Sequence, residues 1–107
     1  MYKVMMLPMA EEDIMNNTDY SAFEKKAPET ALELAMGFRN TIAKIEFMPK
    51  QHELDEDEEL ALRGIRKCYY KNYKIYFFID EKNGIVCVLR VLHMLVNAKP
   101  LLLNIGF

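Results

Sequence analysis

No apolar run in this 107-residue chain approaches the ~20 residues a helix needs to cross a bilayer. A membrane-spanning protein is therefore not expected. Cysteine is scarce: Cys68 and Cys87 are the two present, with no C-x-x-C. A disulfide framework and a thiol redox motif are both disfavoured, and two half-buried free thiols are expected. Histidine is as scarce, and His52 and His93 fall at no zinc-like spacing, so no metal is expected. A basic excess is missing too. The net charge of −2 disfavours a general nucleic-acid binder. There is no internal repeat, linker or low-complexity tract. The opening MYKVMMLPMAEED turns acidic too soon, and meets Pro8 too soon, for a signal peptide. A cytoplasmic protein follows as the expectation, with no cofactor.

What is present suits one globular domain over residues 1–107. About half the residues are hydrophobic and 28% are charged. A chain of this length can bury roughly two thirds of its unfolded surface.

The few prolines punctuate the pattern. Residues 2–7, YKVMML, read as a strand apolar on both faces, placed inside a sheet or under helices. Pro8 stops it and opens a helix over about 9–26, with Glu11, Glu12 and Asp13 at the positive end of its dipole. Ala10, Ile14, Tyr20 and Phe23 are expected inward. Pro28 opens a second helix over about 28–47. Its apolar face is Ala31, Leu34, Ala35, Phe38, Ile42 and Ile45, spaced by three and four. Gly37 costs about 1 kcal/mol there relative to alanine, and suggests close approach to the first helix. Pro49 ends the element.

Residues 50–60 read as an acidic loop. Strands are expected over Ala61–Cys68, Asn72–Asp80 and Gly84–His93, the last two joined through the hairpin-forming Asn83-Gly84. The fold class is α+β. An N-terminal strand and a helical hairpin precede a three-stranded antiparallel meander, forming one twisted sheet with the helices on one face. The tail, NAKPLLLNIGF, is either a closing element on the core or a sticky surface, ending in Phe107.

Charge is unevenly spread. Glu53, Asp55, Glu56, Asp57, Glu58 and Glu59 crowd one stretch, and Arg63, Arg66, Lys67, Lys71 and Lys74 follow with no acid between them. Two readings stay open: a solvated loop beside an ordinary charged face, or a positive patch for an acidic or phosphate partner. Arg90 stands inside the apolar VLRVL, where a cation pairs with a carboxylate or reaches the rim through its stem. By alternation it points away from His93, unless a bulge intervenes.

The order of these landmarks resembles the RelE/ParE superfamily of type II toxin–antitoxin toxins. The residues that carry the likeness are Pro8 with AEEDI at 10–14 and Tyr20, PETALELAMGFRNTIAKIEFMP at 28–49, LRGIRKCYYKNYKIYFFID at 62–80, and VCVLRVLHM at 86–94. It covers about residues 2–94. The resemblance implies a plasmid-stabilisation-type toxin held inactive by a cognate antitoxin. ParE-like relatives inhibit DNA gyrase without hydrolysis, and RelE-like relatives cut messenger RNA on the ribosome. Arg66 matches the family's strand arginine. Met94 and Pro100 stand where RelE-like relatives carry a second arginine and a late aromatic. Those departures, with the net acidity, favour the gyrase-directed reading over a metal-independent endoribonuclease. An inactive member that only binds its partner is a further alternative. Arg66 and His93 are the catalytic candidates. Arg63, Arg66, Lys67, Lys71 and Arg90 are the candidates for binding target or antitoxin. The expected partners are the antitoxin, then gyrase, or the ribosome with messenger RNA. A homodimer contact is also in view.

Overall fold

The computed structural model describes residues 2–20, 22 and 26–105. The expectations placed on Phe23 and Phe107 lie outside them. One four-stranded sheet organises the chain, in the order β1-β4-β3-β2. Its strands are β1 (Lys3–Met6), β2 (Ile65–Tyr70), β3 (Tyr73–Asp80) and β4 (Ile85–His93). The last three form the expected antiparallel meander. β1 joins the sheet at its edge, parallel to β4, with Val4 beside Val86. The interior position read from its two apolar faces is therefore corrected: Lys3 and Met5 point to solvent, and only one face is packed.

Helices α1 (Pro8–Asp19) and α2 (Pro28–Phe47) each begin with proline in the first turn. There its missing N–H costs nothing. The α-helical part of α1 ends at Asp19, Tyr20 and Ala22 are π-helical, and Tyr20 is exposed rather than inward; residues 21 and 23–25 of the expected helix lie outside the described residues. Both helices lie on one face of the sheet. Leu34, Phe38 and Ile45 of α2 meet Ala10, Cys68, Ile75, Phe77, Val86, Val88 and Val91 in one buried cluster.

The opposite face is also covered. A short helix α3 (Glu58–Leu62) occupies part of the expected loop and the start of the expected strand at Ala61. Asp57 caps it, accepting a hydrogen bond from the Leu60 N–H at 3.1 Å. Gly64 then adopts a positive φ of 79°, and β2 starts at Ile65. The tail folds inward as α4 (Lys99–Leu103), and Leu102 becomes fully buried. Leu60, Ile65, Tyr76, Leu89, Leu92 and Ala98 complete this second cluster. The tail's closing role is therefore the one adopted.

β4 serves both clusters by alternation, with Val86 and Val88 on one side and Cys87 and Leu89 on the other, but that alternation is broken once. Phe77 pairs with Val88 and Tyr76 with Arg90, leaving Leu89 as an extra residue. This bulge resets the phase. Val88 and Val91, three apart, both enter the α1/α2 cluster, and Leu89 and Leu92 both enter the other.

Both cysteines are free. Cys68 belongs to the α1/α2 cluster, and Cys87 packs against the other. Burial pushes the Cys68 thiol up to about 12, and burial with the charge of Asp80 raises Cys87. Only thiolate reacts. At pH 8 a disulfide reagent should therefore label the native chain slowly, Cys87 before Cys68, and both at once in urea. Rapid native labelling of Cys68 would contradict this packing.

Candidate functional site

The acidic stretch and the basic strand are neighbours in space as well as in sequence. Residues 53–55 lie antiparallel beside β2, with Leu54 bridged to Arg66. The Asp55 N–H donates to the Ile65 carbonyl at 2.9 Å, and the Lys67 N–H donates to the Glu53 carbonyl at 3.4 Å. Half of an otherwise bare sheet edge is thus capped by the chain's own acidic segment.

Side chains reinforce that seam. The Lys67 ammonium lies 2.7 Å from Glu56 and 3.4 Å from Asp55. Burial opposes the Lys67 charge, but the hydrogen bond to Glu56 and the fields of Asp55, Tyr69 and Glu56 outweigh it and raise its pKa. The same hydrogen bond lowers the Glu56 pKa. Asp55 is buried, and its Oδ1 also accepts from the Asp57 N–H at 2.8 Å. Arg66 makes no ion pair among the described residues. Its guanidinium donates to the His52 carbonyl at 2.6 Å. Burial first, and the Arg66 charge second, lower the His52 pKa.

The remaining candidates go elsewhere. Arg63 donates to the Leu103 carbonyl at 3.3 Å, at the end of α4. Lys71, at the β2–β3 turn with φ of 50°, reaches Glu33 on α2 at 3.2 Å. Arg90 is turned inward. Its Nε and Nη2 donate to the two oxygens of Asp13 at 2.7 and 2.9 Å, and the Val91 N–H donates to the same carboxylate at 3.0 Å. The Asp13 bond raises the Arg90 pKa.

His93 stands against Tyr73 with the rings edge to face at 5.5 Å, and Tyr73 meets Phe38 in the same way at 5.1 Å. The His93 Nδ1 accepts from the Leu95 N–H at 3.2 Å, which leaves the proton of the neutral ring on Nε2. His93 pairs with Tyr73, while Arg66 pairs with Phe77, on the far side of β3. Strand spacing puts their backbones roughly 16 Å apart. The structure therefore does not bring the named cations and His93 to one rim. Arg66 and Lys67 leave opposite faces of β2, Arg90 is interior, and Lys71 is at the turn. Sequence reading missed Asp13 and Asp55, the acids that hold Arg90 and Lys67. Nothing local identified either one among so many carboxylates. Among the described residues, no three His, Cys, Asp or Glu side chains are grouped to hold a metal, and no helix is long and apolar enough to cross a membrane.

The profile of the ParE toxin of the parDE type II toxin–antitoxin system matches residues 4–95. The chain belongs to the ParE toxin family. Solved structures resemble this ParE-family fold, among them two toxin–antitoxin assemblies. The chromosomal ParDE toxin–antitoxin system from P. aeruginosa aligns with a TM-score of 0.69 at 16% identity, over 87% of this chain and 96% of that one. The toxin–antitoxin complex RelBE2 from Mycobacterium tuberculosis aligns at 0.54 and 22% identity, over 86% and 96%. At these identities the likeness establishes the α+β fold. No curated protein sequence matches the chain. The ParE assignment meets the geometry at β2, the strand named for its arginine, where Arg66 is spent on the His52 carbonyl rather than set beside His93.

The Lys67 seam carries a pH prediction. The Glu56 pKa is lowered in the fold, so its contribution is present above the ordinary carboxylate range and lost as pH falls through the depressed value. The Lys67 pKa is raised, so its contribution is complete below about 10.5 and lost only as pH rises through the higher folded value. The seam should hold from roughly pH 5 to pH 10. Below that, amide exchange at 53–57 should quicken while β3 and β4 stay protected. Lys67→Met keeps the stem's packing and should produce the same local opening at pH 7, at about 1 kcal/mol. Unchanged exchange in that variant would show that the backbone contacts alone hold the segment.

Proposed function

We propose that this chain is the toxin of a type II toxin–antitoxin pair, acting by binding and inhibiting DNA gyrase rather than by cutting RNA, and neutralised by a cognate antitoxin. The family match supports the toxin–antitoxin part. The observation that carries the non-hydrolytic part is the separation of Arg66 from His93 across β3. Cleavage through a 2′-hydroxyl needs a base, an acid and a stabilising cation around one phosphate. Here Arg90 is committed to Asp13, Lys67 to Asp55 and Glu56, and the His93 Nδ1 to the backbone. An inhibitor that works by occupancy needs none of that convergence.

The test is induction of the chain alone in a bacterium, followed by two measurements on the purified protein. Growth arrest with loss of gyrase supercoiling, and intact transcripts by primer extension, is the expected result. Ribosome-dependent cuts in transcripts would replace this reading with the endoribonuclease. Unimpaired growth would leave a partner-binding member without toxicity.

A further inference from the structure

Helix α2 is apolar on two opposite sides. At about 100° per residue, Leu34, Phe38 and Ile45 cluster on the side that meets the sheet. Leu32, Met36, Asn40, Ala43 and Phe47 fall within about 80° of one another on the diametrically opposite side. These five are exposed, as is Met48 at the helix end; Leu32 and Phe47 are 64% and 66% open. A helix with a second apolar stripe facing solvent is unusual for an isolated domain and marks an interaction surface.

The stripe is self-complementary. Its apolar residues lie on both sides of Asn40, the single polar position at its centre. Polar residues at such places fix register between paired helices. Beside the stripe, one flank carries Glu33 toward the N-terminal end and Lys44 toward the C-terminal end. Their midpoint falls within a residue or so of the stripe's midpoint. In an antiparallel pair related by a two-fold axis there, the same flank of both helices comes together. Glu33 of one copy then stands opposite Lys44 of the other, twice. Lys44 has no ion pair among the described residues, and Glu33 uses only Oε1 in an exposed contact with Lys71. The other flank, with Arg39 and Glu46, adds no such match.

We propose that α2 is a self-association surface, on which two copies of this chain pack their outer stripes antiparallel about a two-fold axis near Asn40. The contact is isologous, so it closes at two copies and does not propagate. It is independent of the toxin reading, since it rests on α2 alone.

Sedimentation velocity on the full chain, over about a hundredfold concentration range reaching 0.2 mM, should show a monomer–dimer equilibrium. Leu32→Lys with Phe47→Lys should abolish the dimer, with the circular dichroism and melting of the monomer retained, because both positions are already in solvent. Glu33→Lys should weaken dimerisation at least tenfold, and adding Lys44→Glu should restore it. A monomer throughout the range overturns the proposal and leaves the stripe to a different protein. A dimer that survives the lysine pair, or a Glu33→Lys loss that the reciprocal change fails to restore, also overturns it.

Discussion

Asp13→Ala should destabilise the protein by about 3–5 kcal/mol, a large part of the 5–15 kcal/mol that holds a domain of this size together. The side chains of Asp13 and Arg90 are 12% and 10% exposed. Removing the carboxylate deletes both hydrogen bonds to the guanidinium and the one from the Val91 N–H. It leaves a cation that cannot give up its charge in a site with little access to water. Arg90→Met should cost less, because Asp13 keeps the Val91 N–H and, at the edge of α1, can draw in solvent. Joining the changes as Asp13→Leu with Arg90→Met should recover most of the loss, since a buried ion pair contributes little over an apolar replacement of similar shape. Urea denaturation of the four proteins closes the cycle. A loss below about 1 kcal/mol for Asp13→Ala would mean that Arg90 escapes to solvent. The position matters beyond stability. Asp13 ties α1 to β4 next to the bulge, so the variant loosens the helix that covers the sheet and the parallel edge strand leading into it.

The same pair shows where sequence reading ends. That Arg90 needed a carboxylate was legible from its apolar neighbours. Which carboxylate was not, because Asp13 is 77 residues away and stands among other acids. α2 was legible to the residue, since Pro28 and Pro49 bracket a stripe of period 3.6 that wins over the glycine inside it. α3 was readable in principle, because Asp57 followed by Glu58 and Glu59 is an N-terminal helix signal. The apolar run after it drew attention to a strand that in fact begins only after Gly64. The bulge at Leu89 had no signal, since VLRVL carries no glycine and is apolar on both sides of Arg90, so it fixes no phase. Without the bulge the two faces of β4 are misassigned beyond Arg90, and so is the setting of His93. The basic strand left two readings open for a different reason. Its charges are real, but a run of cations says nothing of the acids that fold back over it. Asp55 and Glu56 neutralise Lys67 within the chain. Of the five cations, Lys67 is the one that the acidic segment answers, while Arg63, Arg66 and Lys71 find other partners.

Gly37 gives the other large effect, and here the sign depends on a second residue. The glycine was read as a point of close approach between helices. The approach in fact comes from Tyr70 at the end of β2, whose ring lies where a Cβ on residue 37 would stand. Tyr70 is held there edge to face with Phe38 at 5.4 Å and by a long hydrogen bond from its hydroxyl to the Glu33 carbonyl at 3.4 Å. Gly37→Ala must push the ring off α2, giving up the aromatic pair and its burial, at about 2–3 kcal/mol after the gain in helix propensity. In a Tyr70→Ala background no ring is there to displace. The same Gly37→Ala should then stabilise by about 1 kcal/mol through propensity alone. A double-mutant cycle in urea measures the reversal directly. If alanine at 37 costs the same in both backgrounds, the ring does not rest on the glycine, and the contact between the β2–β3 turn and α2 rests on Lys71 and Glu33 alone. If the sign changes, Gly37 is the position that lets an aromatic side chain fasten the edge strand to the helix.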